Sequence, residues 1–385
     1  MPRVKCPKCQ QPERILKSGI VRNKQRYYCK DCDYHFVIPS ARKRTRETSA
    51  RDTGATSLRD IARTAGVSIA TVSRALHDHP DISAQTRSFI KSLADEMNYQ
   101  PNMLAQSLVN RSTHTIGVII PNLNTTFFSS MLSGIQQVCA RSGYRVVICQ
   151  SDEDHNTEIA NIQALMNNMI DGLLICHTLH TDTFEHLRMQ MNKRIPIVQF
   201  YRVSEDLPIS KIHADDEAGA EAVTEHLIAK GCKRIALLLG PKNLSITQKR
   251  LKGHLQALKR HGVTLDRKLL AHVDFSHEKV TRAVDHWLKL SPAIDAIFSI
   301  SEKCAVQIIG HLKKKKIRIP RQIRVVGFGN EYTGEIVEPQ LTTYDVRTRE
   351  IGEEACRVML EQLISGNREV VDKRIAGKLI VRQSS

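Results

Sequence analysis

Four cysteines near the start of the chain carry the most specific chemical signal. Cys6-Pro7-Lys8-Cys9 and Cys29-Lys30-Asp31-Cys32 are two Cys-x2-Cys pairs separated by nineteen residues, a spacing read as a zinc site. Each pair forms a tight turn that sets two thiolates on one side of a tetrahedron. Two pairs close a four-sulfur shell with no open position, which excludes zinc-hydrolase chemistry at this place. A redox motif needs one pair, not two, and disulfides suit secreted chains. His35 is a fifth donor for four positions and reads as a bystander. Cys139, Cys149, Cys176, Cys232, Cys304 and Cys356 stand among apolar neighbours and read as core thiols. So short a segment buries little, and a structural zinc ion would supply most of its folding energy.

Charge points to an acidic polymer. The 385 residues carry a formal net charge of +17, and residues 1–55 hold 14 basic against 5 acidic side chains. Arg22, Lys24, Arg26 and Lys30 interleave with Tyr27, Tyr28, Tyr34 and Phe36, a mixture suited to nucleic acid. Tyr28 and Phe36 are expected to pack on the metal knuckle. The string from Lys24 to Phe36 resembles the zinc ribbon of insertion-sequence transposases, which implies DNA contact, although zinc ribbons also dock proteins. Residues 1–38 are read as this ribbon and 39–55 as a basic linker, poor in apolar residues, that touches phosphates without sequence preference. No run of 18 apolar residues and no apolar leader is present, so the expectation is a cytoplasmic, nucleoid-associated protein without a membrane partner.

Stepping along the chain, Leu58, Ile61, Ala62 and Ala65 follow helical spacing after Thr56 or Ser57 and stop at Gly66. Ser68 caps a second helix with Val72, Ala75 and Leu76 inward and Ile69, Ala70, Ser73 and Arg74 on the opposite face. A third helix runs from about Ser83 to Met97. Two short helices joined by a glycine turn make a helix-turn-helix over 56–100. After Asn98-Tyr99-Gln100-Pro101-Asn102 comes a short apolar helix, Met103 to Val109, in a hinge assigned to 101–114.

Leu58-Arg59-Asp60-Ile61-Ala62, Gly66-Val67-Ser68-Ile69-Ala70-Thr71-Val72-Ser73-Arg74 and Ala105-Gln106-Ser107-Leu108 resemble the headpiece of the LacI/GalR family, with Ala75 to Ser83 similar to members from Bacteroidota. The resemblance spans roughly residues 57–383. It implies that Ile69, Ala70 and Arg74 read bases in the major groove, with Arg74 on guanine. It also implies that Ser57, Ser68, Thr71, Ser83 and Thr86 hold phosphates. Leu108 is then the minor-groove wedge, flanked by Asn102, Ala105 and Gln106.

From residue 115 apolar β runs alternate with helices: 116–120, 145–150, 172–176, 197–199, 234–239, 296–300 and 324–327. That pattern predicts parallel α/β sheets, and the length of 115–385 predicts two lobes. The resemblance implies a periplasmic-binding-protein-like core, with one lobe of 115–201 and 345–365 and another of 202–344 and 366–385. It places an effector between Phe127, Phe128, Arg202, Arg250, Phe275 and Asn330. The chain departs from the family at Tyr201, at Ser301-Glu302 and at Gly327-Phe328-Gly329-Asn330. Carboxylates that accept sugar hydroxyls in relatives are absent at two of these places, which adds weight to an anionic or altered ligand facing Arg250 and Arg202.

Enzyme motifs are wanting: Gly327-Phe328-Gly329 lacks a dinucleotide fingerprint, and Gly240-Pro241-Lys242 lacks P-loop spacing. The expected function is a homodimeric transcription regulator, a repressor, bound to a pseudo-palindromic double-stranded DNA operator and controlled by a small-molecule effector, a sugar or sugar derivative. The other reading is an architectural or mobile-element-linked DNA binder dominated by its ribbon, with no effector response.

Overall fold

The computed structural model describes residues 5–9, 14–21, 24–37, 56–100, 112–181, 183–191 and 195–385. The linker at 39–55 and the hinge residues Asn102, Ala105, Gln106 and Leu108 lie outside them. The chain divides into two compact units, Met1–Pro101 and Asn102–Ser385.

In the first unit, β1 (Ile15–Val21), β2 (Lys24–Cys29) and β3 (Tyr34–Val37) form an antiparallel sheet. Cys29 pairs with Ile15 on one side and Tyr34 on the other, so the sheet register fixes where its thiol points. Three helices follow: α1 (Leu58–Ala65), α2 (Ile69–Leu76) and α3 (Ala84–Glu96). Ser57 and Asp60 form a reciprocal capping box, in which the Ser57 N–H donates to Asp60 Oδ2 at 3.1 Å. Gly66 ends α1 at φ 68°, a left-handed turn that a side chain would strain. Ile61, Ala62, Val72, Ala75, Ile90 and Ala94 make the core of this bundle, with Leu58, Leu76, Leu93 and Met97 packed on it. Thr56 does not cap: its hydroxyl donates to Met97 O at 2.7 Å and ties the start of α1 to the end of α3.

The second unit holds two six-stranded sheets. The first has the order β14-β8-β7-β6-β4-β5, from β4 (Thr115–Ile120), β5 (Arg145–Gln150), β6 (Gly172–Ile175), β7 (Ile197–Phe200), β8 (Ser210–Ala214) and β14 (Asp372–Ile375). All its pairings are parallel. The second has the order β10-β9-β11-β12-β13-β15, from β9 (Ile235–Leu239), β10 (Leu270–His272), β11 (Ala296–Ser299), β12 (Arg324–Gly329), β13 (Thr342–Asp345) and β15 (Lys378–Ile380). Only β15 runs antiparallel there.

This corrects the expected division of the lobes, because β8 and β14 belong to the first sheet. The chain therefore crosses between lobes after β8, after β13 and after β14. The misplaced strand is polar yet buried: Lys211 pairs with Glu205 and Asp372, and His213 Nε2 lies 3.1 Å from Asp372. Helices cover both faces. In the first lobe α4 (Thr126–Arg141) crosses α12 (Thr348–Ser365) so closely that a Cβ on Gly352 would sit 2.1 Å from the Met131 carbonyl. In the second, α7 (Asp216–Ala229) and α8 (Ser245–Arg260) cross in the same way, a Cβ on Gly253 meeting the Glu217 carbonyl at 2.1 Å. Five of the six scattered cysteines are buried and Cys149 is half-buried, as core thiols should be.

Candidate functional site

Cys6, Cys9, Cys29 and Cys32 converge, with all four sulfurs within 4.8 Å of one another. The Cys6 and Cys32 sulfurs are 3.6 Å apart, and so are those of Cys9 and Cys29. Sulfurs about 2.3 Å from a tetrahedral zinc ion stand about 3.8 Å apart, so the cluster fits that metal. Desolvation pushes the Cys6 thiol up, but the N–H groups of Cys9 and Lys8 and the neighbouring thiols bring it down to about 7. His35 is engaged elsewhere, its Nδ1 3.1 Å from Ser18 Oγ and its ring against Tyr28.

The outer face of α2 is open. Ile69, Ala70 and Arg74 are exposed, Thr71 and Ser73 half-buried, and Arg74 has no ion-pair partner among the described residues. Ser68 and Ser83 cap α2 and α3: the Thr71 N–H donates to Ser68 Oγ at 3.1 Å, and the Thr86 N–H to Ser83 Oγ at 3.2 Å. The five residues assigned to phosphates thus stand at helix N-termini, where backbone N–H groups and the helix dipole attract anions.

In the second unit, parallel strands aim the loops after β4, β6, β7, β9, β11 and β12 at one inter-lobe cleft. One wall carries Phe127, Phe128, Tyr201 and Arg202. Phe127 and Tyr201 rings lie 4.7 Å apart, whereas Phe128 is 5% exposed and belongs to the core, with Arg202 above its ring. The opposite wall carries Arg250, Asp216, Thr247, Phe275 and Phe328. Arg250 lies 3.9 Å above the Phe328 ring. Phe275 packs over Gly240, leaving no room there for a Cβ.

Neither arginine offers a free charge. Arg250 and Asp216, 2% and 1% exposed, pair at 2.7 Å, and Arg250 also donates to Ile300 O. Arg202 donates to both oxygens of Glu153, at 2.7 and 3.0 Å, and to His177 O. The expected pair of open positive charges facing an anion is therefore absent. Among the buried side-chain atoms of these walls, Asp216 Oδ2, Thr247 Oγ1, Arg202 Nε and Arg250 Nη2 have no hydrogen bond, although the last is ion-paired with Asp216 Oδ1. Aromatic faces plus buried polar atoms of both kinds suit a neutral, polar, ring-shaped ligand.

Asn330 turns from the cleft: its side-chain oxygen accepts from Arg382 Nη2 at 3.0 Å, and its N–H donates to Glu302. Glu302 also accepts from the Glu331 N–H at 2.8 Å and the Thr343 hydroxyl at 2.6 Å. Burial pushes its carboxyl up to about 7 against those donors. Glu331 reaches across the cleft to accept from Thr126 Oγ1 at 3.1 Å, and Asn243 Nδ2 donates to Leu179 O at 2.9 Å.

Sequence reasoning missed Asp216 and Phe328 and saw Tyr201 only as a departure. Tyr201, Phe275 and Asn330 have φ of 60°, 64° and 60°, the left-handed region that aromatic residues avoid. No spacing pattern reports such strain.

Residues 113–381 match the family model described as periplasmic binding proteins and sugar binding domain of LacI family, and residues 57–102 match bacterial regulatory proteins, lacI family. The ribose operon repressor of Halalkalibacterium halodurans is 30% identical over 334 residues, covering 86% of this chain and 97% of its own. The transcriptional repressor CytR of Escherichia coli (strain K12) is 29% identical over 335 residues, covering 87% and 97%. A solved CelR–cellobiose complex is similar at TM-score 0.65 and 26% identity, covering 86% of this chain and 100% of that one. The lac repressor dimer bound to operator and an anti-inducer shares the fold at TM-score 0.77 and 24% identity, covering 86% and 99%.

Proposed function

The chain belongs to the lacI family of bacterial regulatory proteins, and from that premise we propose that it is a sequence-specific DNA-binding transcription regulator, a repressor, whose grip on DNA is set by a small molecule in the inter-lobe cleft. The observation that carries this reading is the open face of α2, where Ile69, Ala70 and Arg74 are presented by a capped three-helix core. Two such faces in a homodimer read the half-sites of a pseudo-palindromic operator. Ser57, Ser68, Thr71, Ser83 and Thr86 fix the register on phosphates, and hinge residues Asn102, Ala105, Gln106 and Leu108 enter the minor groove.

The effector is a neutral sugar or sugar derivative. It stacks on Phe127 and Phe275 and takes hydrogen bonds at Asp216 Oδ2, Thr247 Oγ1 and Arg202 Nε, while Arg250, already paired, shapes the floor. To control DNA binding it must favour one lobe arrangement over the other, since a ligand shifts an equilibrium only by its differential affinity. The ribose operon repressor and the solved complex with cellobiose named above support this class of ligand. A zinc ion in the Cys6, Cys9, Cys29 and Cys32 cluster holds the front sheet together as a ribbon, and the basic linker adds non-specific attraction. No enzymatic step is assigned.

Selection of bound duplexes from a random DNA pool tests the reading, with the whole chain and a chain lacking residues 1–55 run in parallel under zinc. The expected result is one palindrome from both. A site recovered only with the ribbon present, lacking two-fold symmetry, would favour the ribbon-dominated DNA binder instead.

A further inference from the structure

A second group of metal-type ligands stands in the first lobe of the core, apart from the cysteine cluster. His155 and Glu158 are one turn apart on α5 (His155–Asn167), and His186 comes from α6 (Glu185–Met191). One ligand atom from each lies within 4.8 Å of the others. Glu158 is fully buried, and its Oε1 is 3.0 Å from His186 Nε2. Its other oxygen is fixed by the Thr178 N–H at 3.0 Å and the Thr181 hydroxyl at 3.2 Å, the kind of outer partners that orient a metal-binding carboxylate.

His177 supplies an independent observation. Its Nε2 lies 2.8 Å from Gln199 Oε1. The orientation of that amide is fixed, because Oε1 also accepts from the Ser204 N–H at 2.7 Å and Nε2 donates to Ser204 O at 3.3 Å. His177 Nε2 therefore carries the proton, and in the neutral ring Nδ1 holds a lone pair. That lone pair has no hydrogen bond and faces Glu158 Oε1 at 3.7 Å, in a side chain 5% exposed. A lone pair aimed at a carboxylate is repulsive unless positive charge lies nearby. His155 Nδ1 is likewise buried and without a partner. A cavity of about 270 Å³ lined by His155, Gln163, Thr183, His186 and Gln190 gives access and room for a water ligand.

We propose that His155, Glu158 and His186 bind a divalent transition-metal cation of the zinc class, with a water completing the shell and His177 beside it. Two imidazoles and one carboxylate are a donor set for such a cation, and nitrogen and oxygen ligands about 2.0–2.1 Å from it stand about 3.3 Å apart, near the spacing of His186 and Glu158. The loop after β6 joins this site to the cleft, since the Leu179 N–H donates to Glu153, the partner of Arg202, at 2.8 Å.

The test counts metal in the whole protein. After metal depletion, cobalt(II) is added at equilibrium and followed by elemental analysis and absorption spectroscopy, which separates thiolate ligation, with its sulfur-to-cobalt charge transfer, from nitrogen and oxygen ligation without it. One equivalent per chain lacking thiolate charge transfer is expected, lost in both His186→Gln and the half-buried His155→Gln, with zinc displacing it in the wild type. The wild type binding no such equivalent overturns the proposal whatever the variants do. So does retention of that equivalent by folded His155→Gln and His186→Gln.

Discussion

On the outer face of α2, Arg74 is exposed and has no ion-pair partner among the described residues, whereas on the floor of the cleft Arg250 is 2% exposed and held by Asp216 at 2.7 Å. On the proposed function, the difference follows from what each region meets. A surface that binds a polyanion leaves its charges in water, where solvation costs nothing until DNA supplies the counter-charge. A buried charge without a partner costs several kcal/mol, so the cleft neutralises its arginines in advance and leaves hydrogen-bonding atoms, not net charge, for a small ligand.

The sharpest way to break this contrast is to strip the cleft of its counter-charge. Asp216→Ala leaves Arg250 buried and unpaired and is expected to lower stability by about 3–5 kcal/mol in urea unfolding. A loss near that of an exposed site, within about 0.5 kcal/mol, would mean that the pair is not the structural element described. On the reading side, Ser68→Ala removes the acceptor for the Thr71 N–H and is expected to cost about 1 kcal/mol of headpiece stability, seen in thermal unfolding of the first unit.

A pH-dependent effect comes from Glu302, whose folded-state value of about 7 lies above the ordinary 4.5. The folded form holds a proton that the unfolded form releases, so this group's contribution is full below about pH 4.5 and is lost as pH rises through about 7. Urea midpoints across that window are expected to fall with rising pH, and Glu302→Gln to flatten the decline.

The same contrast governs how much was legible. The helix-turn-helix was readable to within a residue because its signals are local: Thr56 or Ser57 ahead of the first apolar residue, Gly66 at the stop, the Ser68 cap, and the inward spacing of Val72, Ala75 and Leu76. Strands such as β4 and β9 were readable as continuous apolar runs. Strand β8 was not, because Ser210, Lys211 and His213 look like surface residues until Glu205, from the loop just before the strand, and Asp372, from far along the chain, pair with Lys211 and His213. The cleft was half legible. Phe127 and Arg250 came from resemblance, but Asp216 at the start of α7 is also what helix-dipole compensation would place there, and its pairing with Arg250 is a tertiary event.

The most direct measurement compares wild type and Arg74→Ala on the duplex recovered by selection and on a scrambled duplex, by titration at fixed salt. The account predicts that Arg74→Ala loses about 1–3 kcal/mol of preference for the selected duplex, a factor of about 5–150, while its melting temperature is unchanged. An equal loss on both duplexes, or none on either, would contradict it.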